Sequence, residues 1–289
     1  MPSARAALSR PAQLTQAYVA AKVAEALEED GAGSDVTTQT VVPPDLQAEA
    51  QMLARGPGVV AGLAVAEEVF RQVDTQVAFA EVTADGARVQ AGQPLASIRG
   101  RLGSLLRAER VALNFLQQLS GVATLTQRFV EAAGPGVAVL DTRKTVPGLR
   151  PLQRYAVAAG GGVNHRYNLA GSLLVKDNHV AAAGGVAAAV RLARQAGLAV
   201  EVEVETMAEL GEALEEGAEA VLLDNMTPDQ VVEAVRLTRG RAVLEVSGGV
   251  TLASIAAYAA TGVDRISVGA LTHSAPALDV SMEVTRTWR

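Results

Sequence analysis

The 289-residue chain predicts an α/β fold whose second half closes into a barrel, and three observations carry that expectation. Short apolar runs end in a charged or polar residue at 137–144, 172–178, 200–205, 220–225, 242–249 and 265–270. Between the later runs lie four helix-like segments, 185–197, 206–217, 227–240 and 251–262, and each ends in Gly, the usual helix stop. Lys176, Asp224 and Glu245 fall at or near the C-terminal ends of the runs, on the rim where barrel sites are built. Alternation of this kind, at roughly 20–27 residues per unit, indicates parallel βα units. An open sheet would bind only near its switch point, so charge on so many consecutive strands favours a closed ring.

The elements follow in chain order. Residues 1–16 carry two arginines but no apolar run of signal-peptide length. Residues 13–30 are helix-like, and 48–63 and 77–100 read as short strands broken by turns such as Asp85-Gly86. A long helical pattern over 104–134 joins this part to the barrel. In the strand VEVEVE the valines 200, 202 and 204 share one face and Glu201, Glu203 and Glu205 the other. Thr227-Pro228-Asp229-Gln230 is a capping-box helix start with Pro at the first helical position.

Composition narrows the function. Half the residues are hydrophobic (49%) but only 3% are aromatic, so the core is expected to be built from small and branched aliphatics. There is no Cys, which removes disulfides, Cys-type zinc sites, iron–sulfur clusters and a thiol nucleophile together. No apolar stretch is long enough to span a bilayer, and a soluble, cytoplasmic protein without a membrane partner is expected. A pI near 5.2 with few aromatics argues against a nucleic-acid partner.

The net charge of −6 is unevenly spread. From Thr142 to Lys176 there are six cations, Arg143, Lys144, Arg150, Arg154, Arg166 and Lys176, one histidine, His165, and no acid. Cations on both sides of a Gly-rich turn point to a pocket for a small anion, although Arg150 and Arg154 could be no more than solubilising surface charges. At an effective dielectric near 20, one cation about 4 Å from a carboxylate gains roughly 4 kcal/mol before desolvation, so a converging set can hold a polyanion on an acidic protein.

Glu203 in a barrel strand would face the lumen, where an ion needs a partner, either a metal or one of these cations; Glu201 and Glu205 stand behind it as candidates. Asp224 is freed for the site because Thr227 already caps the next helix. Two carboxylates on consecutive strands suit a hard cation such as Mg²⁺. The turns Ser247-Gly248-Gly249 and Val268-Gly269-Ala270 follow the last two strands, where backbone N–H groups can approach a phosphate.

On these residues the chain resembles the quinolinate phosphoribosyltransferase family. The resemblance runs, in order, through EEDGAGSDVTT (28–38), ARGPGVVAGL, SLLRAERVALNFLQQLSGVAT, DTRKTVPGLR, GGGVNHR, KDNH, EVEVE, LLDN, SGG and VGALTHS, over nearly the whole chain. Gly56-Pro57 and Val246 depart from the pattern without touching a charged site residue. The resemblance implies an N-terminal α/β open-faced sandwich over 1–115, which 275–289 could complete, and a C-terminal α/β barrel over 116–274. It implies transfer of phosphoribosyl from phosphoribosyl pyrophosphate to quinolinate, giving nicotinate mononucleotide, pyrophosphate and CO₂ for NAD synthesis. It also implies a homodimer with a shared active site, higher assembly being left open.

Carried onto this sequence, Arg143, His165, Arg166 and Lys176, with Arg110 from the partner subunit, are expected to bind quinolinate. Lys144, Glu203, Asp224, Ser247, Gly248, Gly249, Gly269 and Ala270 are expected to bind phosphoribosyl pyrophosphate, with Glu203 and Asp224 holding Mg²⁺. Rival readings at this stage are another substrate on the same scaffold, a phosphate-metabolite sensor without turnover, and a barrel aldolase or isomerase using Lys176.

Overall fold

The computed structural model describes residues 14–289; the reading that the N-terminus holds no signal-peptide run falls, for residues 1–13, outside them. The chain divides into two compact units. One holds the described residues through Gln127 together with 147–161 and 274–289, and the other holds 128–146 and 162–273.

In chain order the first unit begins with α1 (Gln16–Glu29), α2 (Val36–Val41), β1 (Gln47–Ala54), β2 (Gly58–Val59), α3 (Leu63–Val73), β3 (Ala78–Glu81), β4 (Arg88–Val89), β5 (Pro94–Arg101) and α4 (Leu102–Ala133). The barrel elements are β6 (Ala138–Leu140), then, past α5 (Arg150–Ala159) of the first unit, β7 (Leu173–Val175), α6 (Asp177–Ala183) and α7 (Val186–Arg194). They continue with β8 (Val200–Val204), α8 (Met207–Glu215), β9 (Ala220–Asp224), α9 (Pro228–Thr238), β10 (Val243–Ser247), α10 (Ile255–Ala259), β11 (Arg265–Ser267) and α11 (Ala270–His273). The chain returns to the first unit in β12 (Val280–Trp288).

The first unit is built on an antiparallel sheet in the order β12-β1-β5-β3. Strand β1 alternates strictly, and its inward residues Ala48, Ala50, Met52 and Ala54 are fully buried. Helix α4 carries a buried stripe of Leu105, Ala108, Ala112, Leu116, Leu119 and Ala123 at spacings of three and four, the period of one helix face. The same helix satisfies irregular backbone: Ser120 Oγ accepts from the Ala61 N–H at 3.0 Å and Thr124 Oγ1 from the Val59 N–H at 2.9 Å. Asp85, in the turn expected there, caps α3 by accepting from the Gly62 and Leu63 amides, and the Tyr155 hydroxyl donates to it at 2.6 Å. Arg154 corrects an expectation: it is not a surface charge but sits on α5 with 1% of its surface exposed.

The second unit is a parallel sheet in the order β6-β11-β10-β9-β8-β7, with helices between successive strands from β7 onward. Laid flat, β6 and β8 would stand four strand spacings apart, roughly 19 Å. Yet His165, just beyond the Val163–Leu140 bridge to β6, reaches Glu201 on β8 at 3.5 Å. The sheet is therefore rolled about a lumen, which is the barrel expected from the strand rhythm. Val163 extends the ring beside β6 with two backbone bonds, from its N–H to Val139 O at 2.8 Å and from the Asp141 N–H to Val163 O at 3.1 Å.

Local chemistry explains the helix starts. Thr206 and Glu209, and Thr227 and Gln230, form reciprocal capping boxes, the second with Pro228 at the first helical position as expected. Strands β6 and β11 are three residues long, shorter than the runs at 137–144 and 265–270, because the residues after them leave the sheet to form the rim. No helix among the described residues is long and apolar enough to cross a membrane.

One contact tests the packing of the first unit. A Cβ on Gly121 of α4 would lie 2.1 Å from the Pro276 carbonyl oxygen, backbone that has no rotamer by which to yield. Gly121→Ala is expected to lower the unfolding free energy by about 3 kcal/mol in denaturant titration. Gly211→Ala on α8, where a Cβ meets open space, is the control and should be neutral or stabilising by up to about 1 kcal/mol.

Candidate active site

The lumen face of the barrel is set by strand alternation. On β8 the valines 200, 202 and 204 are buried on the side of α7 and α8, which leaves Glu201 and Glu203 facing inward. The register aligns Glu203 with Leu222 of β9 and Leu222 with Glu245 of β10, and one turn of the pleat further up it aligns Asp224 with Ser247.

The rim begins at β6. Asp141, fully buried, accepts from Asn164 Nδ2 at 2.7 Å and from the His165 N–H at 2.8 Å, so one carboxylate fixes the loop that presents the basic residues. Arg166 donates through Nη1 to the Ser172 carbonyl at 3.1 Å. Arg143, Arg166 and Lys176 line one cavity of about 380 Å³ together with His179 and apolar residues of β7. Burial, and then the nearby positive charge of Arg143, lower the proton affinity of Arg166. Two guanidinium groups crowded in this way call for an anion.

Lys176 bonds the Glu203 carboxylate, which is nearly buried. Asp224 lies close by: burial first, and then the negative charge of Glu203, push its carboxyl above the usual carboxylate range, while Lys176 and Lys144 oppose the shift. Two hard carboxylates from adjacent strands that repel each other are the donor set a divalent cation relieves.

The Gly turns close the rim. Gly248 has φ +92°, and a Cβ there would run into the Asn225 side chain at 2.2 Å. Asn225 itself takes φ +54°, uncommon for a non-glycine residue, and is held there by its N–H bond to Ser247 O at 2.9 Å and its amide bond to Asp224 at 2.7 Å. Gly249 has φ +61° with open space where a Cβ would be. At Gly269 a Cβ would meet His273 at 3.1 Å and the Lys144 stem at 3.2 Å, so this turn and Lys144 are neighbours, and Ala270 opens α11 beside them.

Of the residues expected from the sequence, the structure brings Arg143, Arg166 and Lys176 to one cavity, joins Glu203 and Asp224 to Lys176 and Lys144, and sets Ser247, Gly248 and Gly269 beside them. Arg110 stands exposed on α4 in the other unit and lines neither of the two cavities bounded by Arg166. Arg150 and Arg154 belong to the other unit with α5. His165 is placed differently from the other expected quinolinate ligands. Its Nε2 points to Glu245 at 3.3 Å and Glu201 at 3.5 Å, and its Nδ1 accepts the Arg166 N–H at 2.7 Å.

Among the described residues, His165, Glu201 and Glu245 are the one group of three or more His, Cys, Asp or Glu side chains whose donor atoms gather within 4.8 Å. Burial, and then the charge of Glu245, raise the Glu201 carboxyl well above its ordinary range. Burial lowers the proton affinity of His165, but Glu245, Glu201 and Asp141 outweigh it and raise its titration overall. Sequence reasoning placed Glu245 at the rim and ranked Glu201 behind Glu203. It missed that both belong to a buried layer, and the alternation in VEVEVE was the one signal that could have found Glu201.

The chain matches the family model described as quinolinate phosphoribosyl transferase, N-terminal domain, over residues 35–120, and the corresponding C-terminal domain over 122–283. It is 45% identical to a nicotinate-nucleotide pyrophosphorylase (carboxylating) of Mycobacterium leprae over 91% of this chain and 95% of that protein. A probable nicotinate-nucleotide pyrophosphorylase (carboxylating) of Bacillus subtilis is 43% identical over 90% of each chain. The solved nicotinate-nucleotide pyrophosphorylase of Francisella tularensis superimposes with a TM-score of 0.92 at 39% identity, covering 96% of this chain and 99% of that one. With both halves matched and relatives above 40% identity over nine-tenths of its length, this chain belongs to the quinolinate phosphoribosyltransferase family.

Proposed function

We propose that the protein transfers phosphoribosyl from phosphoribosyl pyrophosphate to quinolinate, releasing pyrophosphate and CO₂ and forming nicotinate mononucleotide for pyridine nucleotide synthesis. The observation that carries this reading is the convergence of Arg143, Arg166 and Lys176 on one cavity beside the Glu203–Asp224 carboxylates. A pyridine with two carboxylates answers the first set, and a metal-bound polyphosphate the second.

Arg143, Arg166 and Lys176 orient the dianion so that its ring nitrogen faces the sugar, with Arg110 of a second subunit completing the pocket. Ser247, Gly248, Gly249, Gly269 and Ala270 receive the 5′-phosphate through backbone donors, and Lys144 contacts the phosphates. Glu203 and Asp224 would hold Mg²⁺, which when bound supplies positive charge to the departing pyrophosphate. The nitrogen–carbon bond forms as the bond from the anomeric carbon to pyrophosphate breaks, and the carboxylates on the rim favour the positive charge that develops on the ribose. The resulting pyridinium stabilises the ring carbanion left when the adjacent carboxylate departs as CO₂, and that carbon then takes up a proton.

Lys176 couples the two halves of the site, because its ammonium is paired with Glu203 before any ligand arrives. A homodimer in the cytoplasm, with Arg110 crossing between subunits, completes the reading. An ordinary barrel aldolase using Lys176 as a Schiff-base residue is disfavoured because Glu203 already engages that amine as an ion-pair partner.

Three outcomes test it. Carboxyl-labelled quinolinate should release labelled CO₂ only with phosphoribosyl pyrophosphate and Mg²⁺ present, and turnover of nicotinate without CO₂ release would sink the assignment. Lys176→Ala should weaken quinolinate at least about tenfold in calorimetric titration, the scale of one charge-assisted bond, while tightening divalent-ion binding because Glu203 loses its counter-ion. Inactive Arg110→Ala subunits mixed with inactive Lys176→Ala subunits should regain activity in heterodimers; no recovery would refute a site shared between subunits.

A further inference from the structure

Glu245 is a buried charged residue that the reaction scheme leaves without a task. It lies at the centre of β10 between Leu244 and Val246 and is fully buried, and neither carboxylate oxygen accepts a hydrogen bond of good geometry. An ionised carboxylate in such a place is costly unless something compensates it. His165 Nε2 stands 3.3 Å from one of the Glu245 carboxylate oxygens. Glu201 stands on the same nitrogen at 3.5 Å. Asp141 and Arg265 complete the charged surroundings, Arg265 being the register partner of Glu245 on β11.

The imidazole has a second contact that gives this layer a consequence above it. His165 Nδ1 accepts the Arg166 N–H at 2.7 Å, which requires Nδ1 to be bare and places the ring proton on Nε2, toward the carboxylates. With Asp141 holding the His165 N–H, the chain at 165–166 is gripped on two successive amides just where it delivers the Arg166 guanidinium to the cavity beside Arg143.

We propose that Glu245 is a positioning residue of the dianion pocket: its carboxylate keeps the His165 ring in the Nε2–H form, and the ring in turn anchors the main chain that aims Arg166. His165 then serves quinolinate through Arg166 and not by touching it. This rests on the reading that the pocket binds quinolinate, and it adds to that reading which buried groups set the pocket's affinity.

The chain contains only three histidines, His165, His179 and His273, so the ring can be observed directly. In protein labelled with ¹⁵N-histidine and held in alkaline buffer, where the ring has lost any second proton, His165 is expected as the Nε2–H tautomer. His179→Gln and His273→Asn variants assign the signals. A predominant Nδ1–H tautomer overturns the proposal without reference to any activity. Glu245→Met, which keeps the bulk but cannot accept a hydrogen bond, leaves Glu201 as the one carboxylate on Nε2 and should weaken the tautomer preference. It should also raise KM for quinolinate about tenfold, with KM for phosphoribosyl pyrophosphate unchanged. Glu245→Gln, whose carbonyl can still accept from Nε2–H, should keep the tautomer and restore KM to within about threefold of the parent. Equal rises in both KM values, or a Gln variant no better than Met, would mark Glu245 as merely structural. Should Glu245→Met fail to fold, the parent tautomer and the Gln variant decide the matter. A parent protein without quinolinate turnover would refute the proposed function, and the tautomer would still be read on its own.

Discussion

The barrel concentrates like charges that repel one another, and the Lys176–Glu203 ion pair is what ties the two sets together. On one side Arg143 crowds Arg166, and on the other Glu203 crowds Asp224. A chain selected only for stability would have dispersed both, since bringing buried like charges together opposes folding. Their persistence in one rim is the physical sign of a site whose occupants carry the missing charge of each sign. Lys176 belongs to both sets, lining the cavity with Arg143 and Arg166 while paired with Glu203.

The roll of the sheet makes this possible. Alternation along each strand puts every second side chain into the lumen, so successive layers of inward residues form up the barrel. The lower layer here holds Glu201 and Glu245 with His165, and the layer above it, Glu203, Asp224 and Ser247, opens to the rim. The lower layer is linked to the upper through one imidazole and one backbone amide. Through that link the buried layer helps to keep the long, flexible Arg166 guanidinium in one place.

Glycine is used at the rim where geometry leaves no alternative. At Gly248 both the left-handed φ and the Asn225 side chain exclude a Cβ, and Asn225 accepts an uncommon backbone conformation in the same turn. Backbone strain concentrated in two adjacent loops, beside a carboxylate that a cation would bridge, is consistent with donors aimed at a phosphate.

Much of this was legible in the sequence because it depends on local rules. The βα rhythm, the Gly helix stops, the capping box at Thr227 and the acid-free window from Thr142 to Lys176 each follow from periodicity or composition, and they were enough to set the class of fold and the sign of the ligand. The site was legible in part, since Arg143, Arg166, Lys176, Glu203 and Asp224 sit at strand ends or on an alternating strand. Tertiary structure alone decided the rest. Arg154 has the same chemistry as its surface counterparts but is buried, and no local pattern distinguishes it. Glu245 reads as a strand-end charge, yet the register carries it into the floor of the lumen. Which way the His165 ring turns depends on carboxylates 36 and 80 residues later in the chain, on Glu201 and Glu245. Periodicity reports which face of an element is buried; only the closing of the sheet decides which distant charges meet there.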